Sequence, residues 1–471
     1  MAKAHPPGPR GHWLLGIINE VQGDPMGFMT RMASYGDISS ARFGPFRIYQ
    51  LNNPGLVQDL LVNHRDSLVK NPHDMRPLRR FLGNGLLTNE GEGHRVQRKM
   101  MQPAFHMQRI RAYAATMVDH TRAMLDTWRA GEVRNVDDDM MKLTLGIVSK
   151  TLFNADVSEA EAHAVGAALD DIQAATTELS TMFFQPPAWL PTALNRRIKA
   201  ATATLDAIIL RVINERRASN VDTGDLLSQI LLSQDEGQRM SDQQVRDEVI
   251  TLFLAGHETT ANALTWSLFL LSQHPNKLRR LQAEIDRVLG DRPATLADLG
   301  QLPYNEMVVK EALRLYPPAW SLSPRVLQQP ITLGGHAIGK NSVVMVAPYM
   351  LHHDERWWPE PERFDPERFS PEREKSHHKY AWIPFGAGPR VCIGNTFALM
   401  EIQLVLASIV QRFDFALDPR QRVVLDPQIT LGPKHGMNLR IFARSQKPEV
   451  RSQESEVRGG EIGRRAAEVG G

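Results

Sequence analysis

The amino-acid sequence predicts a mainly α-helical protein with small β-sheets. Three observations support this prediction. Apolar residues recur at helical spacing over long stretches, above all in residues 111–220. One long helix is predicted from Ser241 to about His274. Short segments of strand-like alternation lie within residues 38–51 and 331–346.

The first elements follow a proline-rich N-terminal arm and a short helical pattern. Residues 38–51 alternate in polarity around Gly44-Pro45, which predicts a β-hairpin. Residues 81–88 form a glycine-bearing apolar loop that leads into a helix. In that helix His94 and Arg98 stand four residues apart, on one face. They could hold two oxygens of one acidic group, or belong to an ordinary solvated face.

The long central helix begins with the capping box Ser241-Asp-Gln-Gln244. At about 1.5 Å per residue it would extend roughly 50 Å. Its middle reads Ala255-Gly-His-Glu-Thr-Thr260, where glycine and paired β-branched residues are poor helix formers. We therefore predict a local distortion, to which Glu258 and Thr259 bring an acid and a hydroxyl group. After His257, no second histidine follows at the spacing of a zinc-binding helix.

The segments after the central helix predict further helices, strands and one long loop. A helix over residues 303–316 carries Glu311 and Arg314 three residues apart, a spacing that is common in surface ion pairs. Residues 331–338 predict a second hairpin. A long Pro- and Trp-rich loop follows, and Arg368 could hold it in place through a carboxylate.

The only cysteine, Cys392, lies in Phe385-Gly-Ala-Gly-Pro-Arg-Val-Cys-Ile-Gly394, directly before a helical pattern. Amide donors and the helix dipole at that position are expected to lower the pKa of the thiol. The loop alone is compatible with a nucleophile, a redox sensor, a metal ligand or an inert buried thiol.

Composition limits the possible classes of protein. One cysteine in 471 residues excludes an intrachain disulfide, which fits a reducing compartment. The formal net charge of +2 does not indicate nucleic-acid binding. The N-terminus has no apolar run of the length that a signal peptide or membrane span needs. We therefore expect a cytoplasmic protein without a membrane anchor or a nucleic-acid partner.

Together these segments resemble the cytochrome P-450 family of haem-thiolate monooxygenases over about residues 8–445. The central helix matches the family pattern (Ala/Gly)-Gly-x-(Asp/Glu)-Thr-Thr. Glu311 and Arg314 match Glu-x-x-Arg, and Arg368 matches the arginine of the Pro-Glu-Arg-Phe segment. The cysteine loop matches Phe-x-x-Gly-x-Arg-x-Cys-x-Gly at Phe385, Gly388, Arg390, Cys392 and Gly394.

The resemblance implies a P-450 fold, with haem b between a long distal central helix and the helix that follows a proximal cysteine loop. Cys392 would be the thiolate ligand of the iron, which favours cleavage of the O–O bond. Phe385 would pack against the sulfur side of the macrocycle, and the loop glycines, Gly394 among them, would let amides approach the sulfur. Ala255 would contact the haem from the distal helix.

The family also implies how the haem is oriented and what supports its loop. Many relatives carry Trp where this chain has His94, but histidine is familiar there among bacterial members, so propionate binding is still expected. Glu311, Arg314 and Arg368 would form a buried triad. The residues expected at the two propionates are His94, Arg98, Arg325 and Arg390.

The implied activity is insertion of one oxygen atom of O₂ into a C–H bond, or a C=C bond, of a hydrophobic small molecule. Thr259 would hold the bound oxygen and Glu258 would relay protons to it. Residues 81–88 are similar to the loop over the haem in bacterial fatty-acid hydroxylases, and fatty acids, terpenoids and steroid-like molecules are all candidate substrates. The expected pocket residues are Leu87, Leu254, Leu322, Thr430 and Leu431.

We expect one haem domain over residues 1–445, a disordered tail over residues 446–471, and a monomer. The chain carries no segment recognisable as a flavin or iron–sulfur domain, so electrons are expected from a separate ferredoxin or flavodoxin with its reductase. An acidic partner of this kind would suit a basic surface beside the proximal face. That surface is formed by Arg95, Lys99, Arg109 and Arg111.

Two alternatives are weaker. A haem-thiolate isomerase or dehydratase of oxygenated lipids needs no external electrons, and the Glu258–Thr259 pair disfavours it. A non-catalytic haem sensor or electron carrier is disfavoured by the chain length and by the oxygen-activating pattern of the central helix.

Overall fold

The structure is a computed structural model that describes residues 5–12, 16–44, 46–182, 185–219, 221–232, 234–235 and 238–444. Helices dominate it, in agreement with the predicted class. The α-helices are α1 (Ile18–Gly23), α2 (Pro25–Ala33), α3 (Pro54–Gln58), α4 (Pro72–Leu82), α5 (Gly91–Met101), α6 (Met107–Leu125), α7 (Val136–Phe153), α8 (Glu159–Thr181), α9 (Ala193–Ser219), α10 (Leu226–Leu232), α11 (Asp242–Gln273), α12 (Pro275–Leu289), α13 (Pro303–Leu315), α14 (Pro348–His352), α15 (Pro371–Glu374) and α16 (Asn395–Arg412).

The strands form small sheets beside the helical part. They are β1 (Ile38–Phe43), β2 (Phe46–Leu51), β3 (Leu68–Lys70), β4 (Val133–Asn135), β5 (Gln234–Asp235), β6 (Gln238–Arg239), β7 (Arg325–Leu327), β8 (Ile331–Leu333), β9 (His336–Ile338), β10 (Val343–Val346), β11 (Phe413–Leu417), β12 (Leu425–Pro427), β13 (Leu431–Pro433) and β14 (Asn438–Ala443). The largest sheet has the strand order β1-β2-β10-β7-β3. The two predicted hairpins are confirmed as β1–β2 and β8–β9.

Helix α11 is the predicted long helix, and it packs against α7, α9, α13 and α16. Its capping box is present: the Gln244 amide donates to Ser241 Oγ at 3.2 Å, and the Ser241 amide donates to Gln244 Oε1 at 2.8 Å. Most of the helix is buried. It is continuous through residues 255–260, so the predicted distortion does not interrupt it.

Helix α16 begins three residues after Cys392 and packs against α6, α11, α12 and α13. Its middle is buried nearly all round, which fixes the cysteine loop at its N-terminus to the helical core. The expected tail over residues 446–471 lies outside the described residues. Within the described residues, no helix is long and apolar enough to cross a membrane.

Candidate active site

The cysteine loop reverses direction before α16. Gly386 and Gly388 adopt φ angles of +72° and +69°, which residues with a side chain rarely adopt. A Cβ on Gly388 would also lie 2.3 Å from the carbonyl oxygen of Leu61. The Cys392 amide donates to the Phe385 carbonyl at 2.9 Å, which closes the loop. The glycines therefore allow the turn that presents the Cys392 side chain.

The Cys392 side chain combines accessible surface with a buried environment. It is accessible in the protein chain, yet burial is the largest influence on its pKa. Burial raises the pKa of the thiol, and the Gly394 amide and the positive charge of Arg98 oppose that rise. The expectation of a lowered pKa is therefore wrong for the protein chain, because burial outweighs the amide donor and the nearby charge.

A basic cluster lies beside this loop. Lys70 and Arg325 are directly opposite each other in β3 and β7, where like charges destabilise a sheet. Arg98 donates to the carbonyl of Val391 at 2.9 Å, so it reaches the residue before the cysteine. The members of the cluster are Lys70, His94, Arg98, Arg325 and Arg390.

Mutual repulsion adds to the effect of burial in this cluster. Burial, then the charges of Arg390 and Arg325, lower the pKa of Lys70 to about 7. Burial and four cationic neighbours lower the pKa of His94 to about 3. Arg390 pairs with Glu90 at 2.7 Å, and this carboxylate opposes the repulsion. Partly buried basic side chains that repel one another fit an acidic ligand, because its negative charge would offset the repulsion.

Helix α11 presents a small accessible face within its buried middle. Ala255 is exposed and Thr259 is half-buried, while their neighbours Leu254, His257 and Thr260 are buried. The Thr259 hydroxyl donates to the Ala255 carbonyl at 2.9 Å, which is the bond to the preceding turn that the sequence predicts. A hydroxyl group and a small side chain are thus accessible on this face of the helix.

Glu258 points to different partners from Thr259. Its Oε1 accepts hydrogen bonds from Gln173 Nε2 of α8, at 2.9 Å, and from the Thr430 hydroxyl. Burial raises the pKa of this carboxyl, although both hydrogen bonds favour the charged form. Asp170 and Asp137 raise it further. The side chain is therefore a buried acid that is held towards α8 and the β12–β13 turn.

Glu311, Arg314 and Arg368 come together in the interior. Arg314 donates to both carboxylate oxygens of Glu311, at 2.7 and 2.9 Å, and Arg368 Nε lies 3.4 Å from Glu311 Oε1. The exposed fractions of Glu311 and Arg314 are both 0%, so this is not the common surface pair that the spacing alone suggests. Arg314 also donates to the His352 carbonyl at 2.7 Å, which fixes α14 to α13.

Comparison with known proteins identifies the family. A family model described as Cytochrome P450 matches residues 6–438. The chain belongs to the cytochrome P450 family. It is a haem-iron monooxygenase of that family, whose members use O₂, a hydrophobic substrate and redox partners.

Three relatives are bacterial enzymes. Cyclooctatin synthase of Streptomyces melanosporofaciens is 38% identical over 435 residues, which cover 91% of this P450 and 93% of the relative. Cyclooctat-9-en-7-ol 5-monooxygenase of the same organism is 38% identical over 406 residues, or 85% and 87% of the two chains. Pentalenene oxygenase of Streptomyces avermitilis is 32% identical over 424 residues, or 89% and 93%.

The residues of this P450 fit a haem. The accessible thiol of Cys392 is a suitable iron ligand, and the basic cluster suits two propionates. Ala255 and Thr259 offer a small, accessible face of a buried helix, as oxygen and substrate require. Phe385 and Gly394 are half-buried, and the Gly394 amide bonds the Cys392 sulfur.

The five expected pocket residues of this P450 have different environments. Leu87 is 39% exposed and Leu322 is half-buried, whereas Leu254 is 7% exposed. Leu431 has an exposed fraction of 0% and belongs to the same core cluster as Trp320, and its carbonyl accepts a hydrogen bond from Trp266 Nε1 at 2.9 Å. Thr430 is half-buried, and its hydroxyl donates to Glu258.

Some residues of the P450 site escape sequence reasoning. Lys70 belongs to a three-residue strand, and only the pairing of β3 with β7 places it opposite Arg325. Glu90 and Gln173 are polar residues in helical or loop segments, with no local pattern that distinguishes them. Their contacts with Arg390 and Glu258 join residues far apart in the chain, so no local signal marks them.

Proposed function

We propose that this P450 hydroxylates a cyclic terpene hydrocarbon or terpene alcohol at an unactivated carbon. The observation that carries this proposal is the 38% identity to cyclooctatin synthase and to cyclooctat-9-en-7-ol 5-monooxygenase over most of the chain. The apolar residues Leu87, Leu322 and Ala255, which are at least partly accessible, support it because they suit a hydrocarbon skeleton.

Cys392 would bind the iron of haem b through its sulfur, with Phe385 and Gly394 beside it. His94, Arg98, Arg325 and Arg390 would hold the propionates, and Lys70 would join them. Binding of these carboxylates would relieve the repulsion among the cations, which favours their charged forms. When bound, the haem supplies the activation of O₂.

Thr259 and Glu258 would deliver the protons that the reaction needs. The Thr259 hydroxyl would pass on a proton at the accessible face of α11, and to do so it would give up its hydrogen bond to the Ala255 carbonyl. Because burial raises its pKa, Glu258 would retain a proton at a higher pH than a solvated carboxyl group. It would have to leave Gln173 and Thr430 before it supplies that proton.

Electrons would come from a separate acidic ferredoxin or flavodoxin. Arg95, Lys99 and Arg111 are exposed, and Arg109 is half-buried. Arg95 and Lys99 share helix α5 with Arg98, which contacts the cysteine loop, so a partner bound there would lie on the proximal side. We also propose a single haem domain over residues 1–445, a monomer and a cytoplasmic location.

Turnover tests the substrate proposal. The purified P450, a surrogate ferredoxin, its reductase and NADPH are incubated with cyclic diterpenes and sesquiterpenes, medium-chain fatty acids or steroids, and products are identified by mass spectrometry. Terpenes should give monohydroxylated products with the highest coupling to NADPH. Efficient oxidation of fatty acids or steroids, with none of the terpenes, would contradict the proposal. Rearranged products without NADPH use would identify an isomerase instead.

A further inference from the structure

Two carboxylates of α11 bind the loop that carries Leu87. The Asn84 amide donates to Asp247 Oδ2 at 2.8 Å, and the Leu86 amide donates to Glu248 Oε2 at 2.9 Å. Asp247 and Glu248 are both buried. Consecutive residues of the helix thus hold alternate amides of the loop.

The two glycines of this loop allow the contact. Gly83 has a φ of +62°, and a Cβ there would lie 2.1 Å from Asp247 Oδ2. A Cβ on Gly85 would lie 2.2 Å from Thr251 Oγ1 and 2.5 Å from the Asp247 carbonyl oxygen. A side chain at either position would push the loop away from α11. The Gly-x-Gly pattern therefore serves the approach of the loop backbone to the helix.

Other side chains bind the loop carbonyls. Gln97 Nε2 donates to the Asn84 carbonyl at 2.8 Å, and Arg79 Nη2 donates to the Thr88 carbonyl at 2.8 Å. Lys70 of the basic cluster donates to the Leu87 carbonyl. The Leu87 side chain is nevertheless 39% exposed, whereas that of Leu86 is buried. A firmly held backbone thus presents one accessible apolar side chain.

Glu248 lies on the same face of α11 as Ala255 and Thr259. It precedes them by seven and eleven residues, which is close to two and three whole turns at about 3.6 residues per turn. One rigid helix therefore carries both the attachment of the loop and the hydroxyl group of the proposed oxygen site. The position of Leu87 relative to Thr259 follows from this attachment.

Apart from its hydrogen bond to the loop, burial of the Glu248 carboxyl group is energetically unfavourable. Its Oε1 has no hydrogen-bond partner among the described residues, and burial raises its pKa to about 8. An apolar side chain of similar size would avoid the loss of hydration. The hydrogen bond to the Leu86 amide is thus the interaction that a carboxyl group provides here and an apolar residue does not.

We propose that Glu248 and Asp247 are positioning residues that set how far Leu87 extends over the haem, and thereby restrict the size of the molecules that reach it. This inference rests on haem binding in the proposed site but not on the terpene substrate. The two carboxylates act through the loop and do not touch the substrate.

The test compares Glu248→Leu, which removes the acceptor, with Glu248→Gln, which keeps an acceptor oxygen for the Leu86 amide. Asp242→Asn is the control, since Asp242 is exposed at the start of the same helix and pairs with Arg217 of α9 rather than with the loop amides. Hydrogen exchange of residues 83–88 and the affinities for imidazole and 4-phenylimidazole are measured on the haem-loaded proteins. Neither readout requires turnover or a known substrate.

In the Glu248→Leu variant, exchange in residues 83–88 should rise about fivefold or more, as expected for a lost hydrogen bond. The ratio of the two ligand affinities should change at least about fivefold, while Glu248→Gln and Asp242→Asn stay within about twofold of the wild type. If Glu248→Leu does not load haem, Gly85→Ala, which displaces the loop with the carboxyl intact, should give the same two changes.

Unchanged exchange would show that the carboxyl does not hold the loop. Faster exchange with an unchanged affinity ratio would show that the loop position does not select ligands. Either result overturns the proposal. Failure of the terpene assignment would instead appear only in turnover, because the imidazole affinities do not depend on the natural substrate.

Discussion

Thr259 and Glu258 are adjacent in the sequence but face different surroundings. The Thr259 hydroxyl lies at the accessible face of α11, whereas the Glu258 carboxyl is buried between Gln173 and Thr430. Adjacent helix positions are about 100° apart, so one turn can present a hydroxyl to the haem side and keep an acid towards α8. The sequence predicts both residue types, but the partners of Glu258 lie far away in the chain.

Replacement of Thr259 by Ala should separate electron use from product formation. Without its hydroxyl, proton delivery at the accessible face of α11 fails, and we expect product per NADPH to fall about tenfold or more; a general acid typically contributes about 10²–10⁴-fold, so tenfold is a lower bound. NADPH consumption should change less than about twofold. The measurement is the ratio of hydroxylated product to NADPH consumed.

Thr260→Ala is the matched control for this measurement. Its hydroxyl donates to the Gly256 carbonyl at 3.0 Å, and the side chain is buried rather than accessible. Coupling in this variant should stay close to that of the wild type. Equal losses in Thr259→Ala and Thr260→Ala would mean that the helix, and not the Thr259 hydroxyl, is responsible.

Glu248 should make stability fall as pH rises from its ordinary pKa of 4.5 through its raised pKa of about 8. Its pKa is raised from 4.5 to about 8 by burial, with Asp247 adding to the rise and the Leu86 amide opposing it. The folded state therefore favours the protonated form, and this stabilisation is lost as pH rises through about 8. Between pH 7 and pH 9 the loss is about 1.4 kcal/mol for this group.

The Glu248→Gln variant has no titrating group at this position, so its stability should fall less than that of the wild type between pH 7 and pH 9. Thermal unfolding of the wild type and the variant at pH 7, 8 and 9 gives the comparison, and groups shared by both proteins cancel. The wild-type midpoint should drop relative to that of the variant. Parallel curves would contradict the raised pKa of Glu248.

Local sequence patterns predict the main helices and hairpins, but they do not predict contacts between residues that are far apart in the chain. The capping box of α11 and its apolar spacing are contained in the sequence, and the helix begins and ends as predicted. The basic cluster depends on the register of β3 with β7, which no short strand pattern specifies. Leu431, which is fully buried, shows a second limit of prediction from sequence. An apolar side chain suits a pocket wall and the protein core equally well, so its residue type does not distinguish them.

Loss of the Glu311 carboxylate should strongly destabilise the packing of neighbouring elements against α13. In a Glu311→Gln variant, Arg314 and Arg368 keep buried positive charges without their carboxylate partner. Removing one partner of a buried pair costs about 3–5 kcal/mol. We expect a large fall in the yield of haem-loaded protein and in the urea midpoint of unfolding.

Glu215→Gln serves as the control, because Glu215 forms an exposed pair with Arg211 at 3.2 Å within α9. Exposed pairs of this kind contribute about 0–1 kcal/mol. Similar yields and midpoints for the two variants would show that the buried Glu311–Arg314 pair contributes no more to stability than the exposed Glu215–Arg211 pair.

Over the whole molecule, charge is nearly balanced, with a formal net charge of +2. Attraction of an acidic electron donor must therefore come from a local surface rather than from the total charge. Arg95 and Lys99 on α5 belong to such a surface, and the same helix carries His94 and Arg98 of the basic cluster. Helix α5 thus connects the proposed docking surface for the electron donor with the proximal side of the site.

The double variant Arg95→Glu/Lys99→Glu should weaken the partner interaction. We expect the KM for a surrogate ferredoxin to rise about tenfold at low salt, with kcat nearly unchanged, and the difference to shrink at high ionic strength. Lys340→Glu, in the exposed turn before β10, is the control for a charge reversal elsewhere on the surface. An unchanged KM would exclude this surface from the docking site.

The absorption spectrum of the ferrous–CO complex tests the proposed role of Cys392 most directly. A thiolate ligand gives the strongly red-shifted Soret band for which this family is named, and a haem held by a neutral ligand does not. We expect the purified wild-type protein to show that band and Cys392→Ala to lose it. A wild type without the band, or a Cys392→Ala variant that keeps it, would contradict haem-thiolate ligation by Cys392.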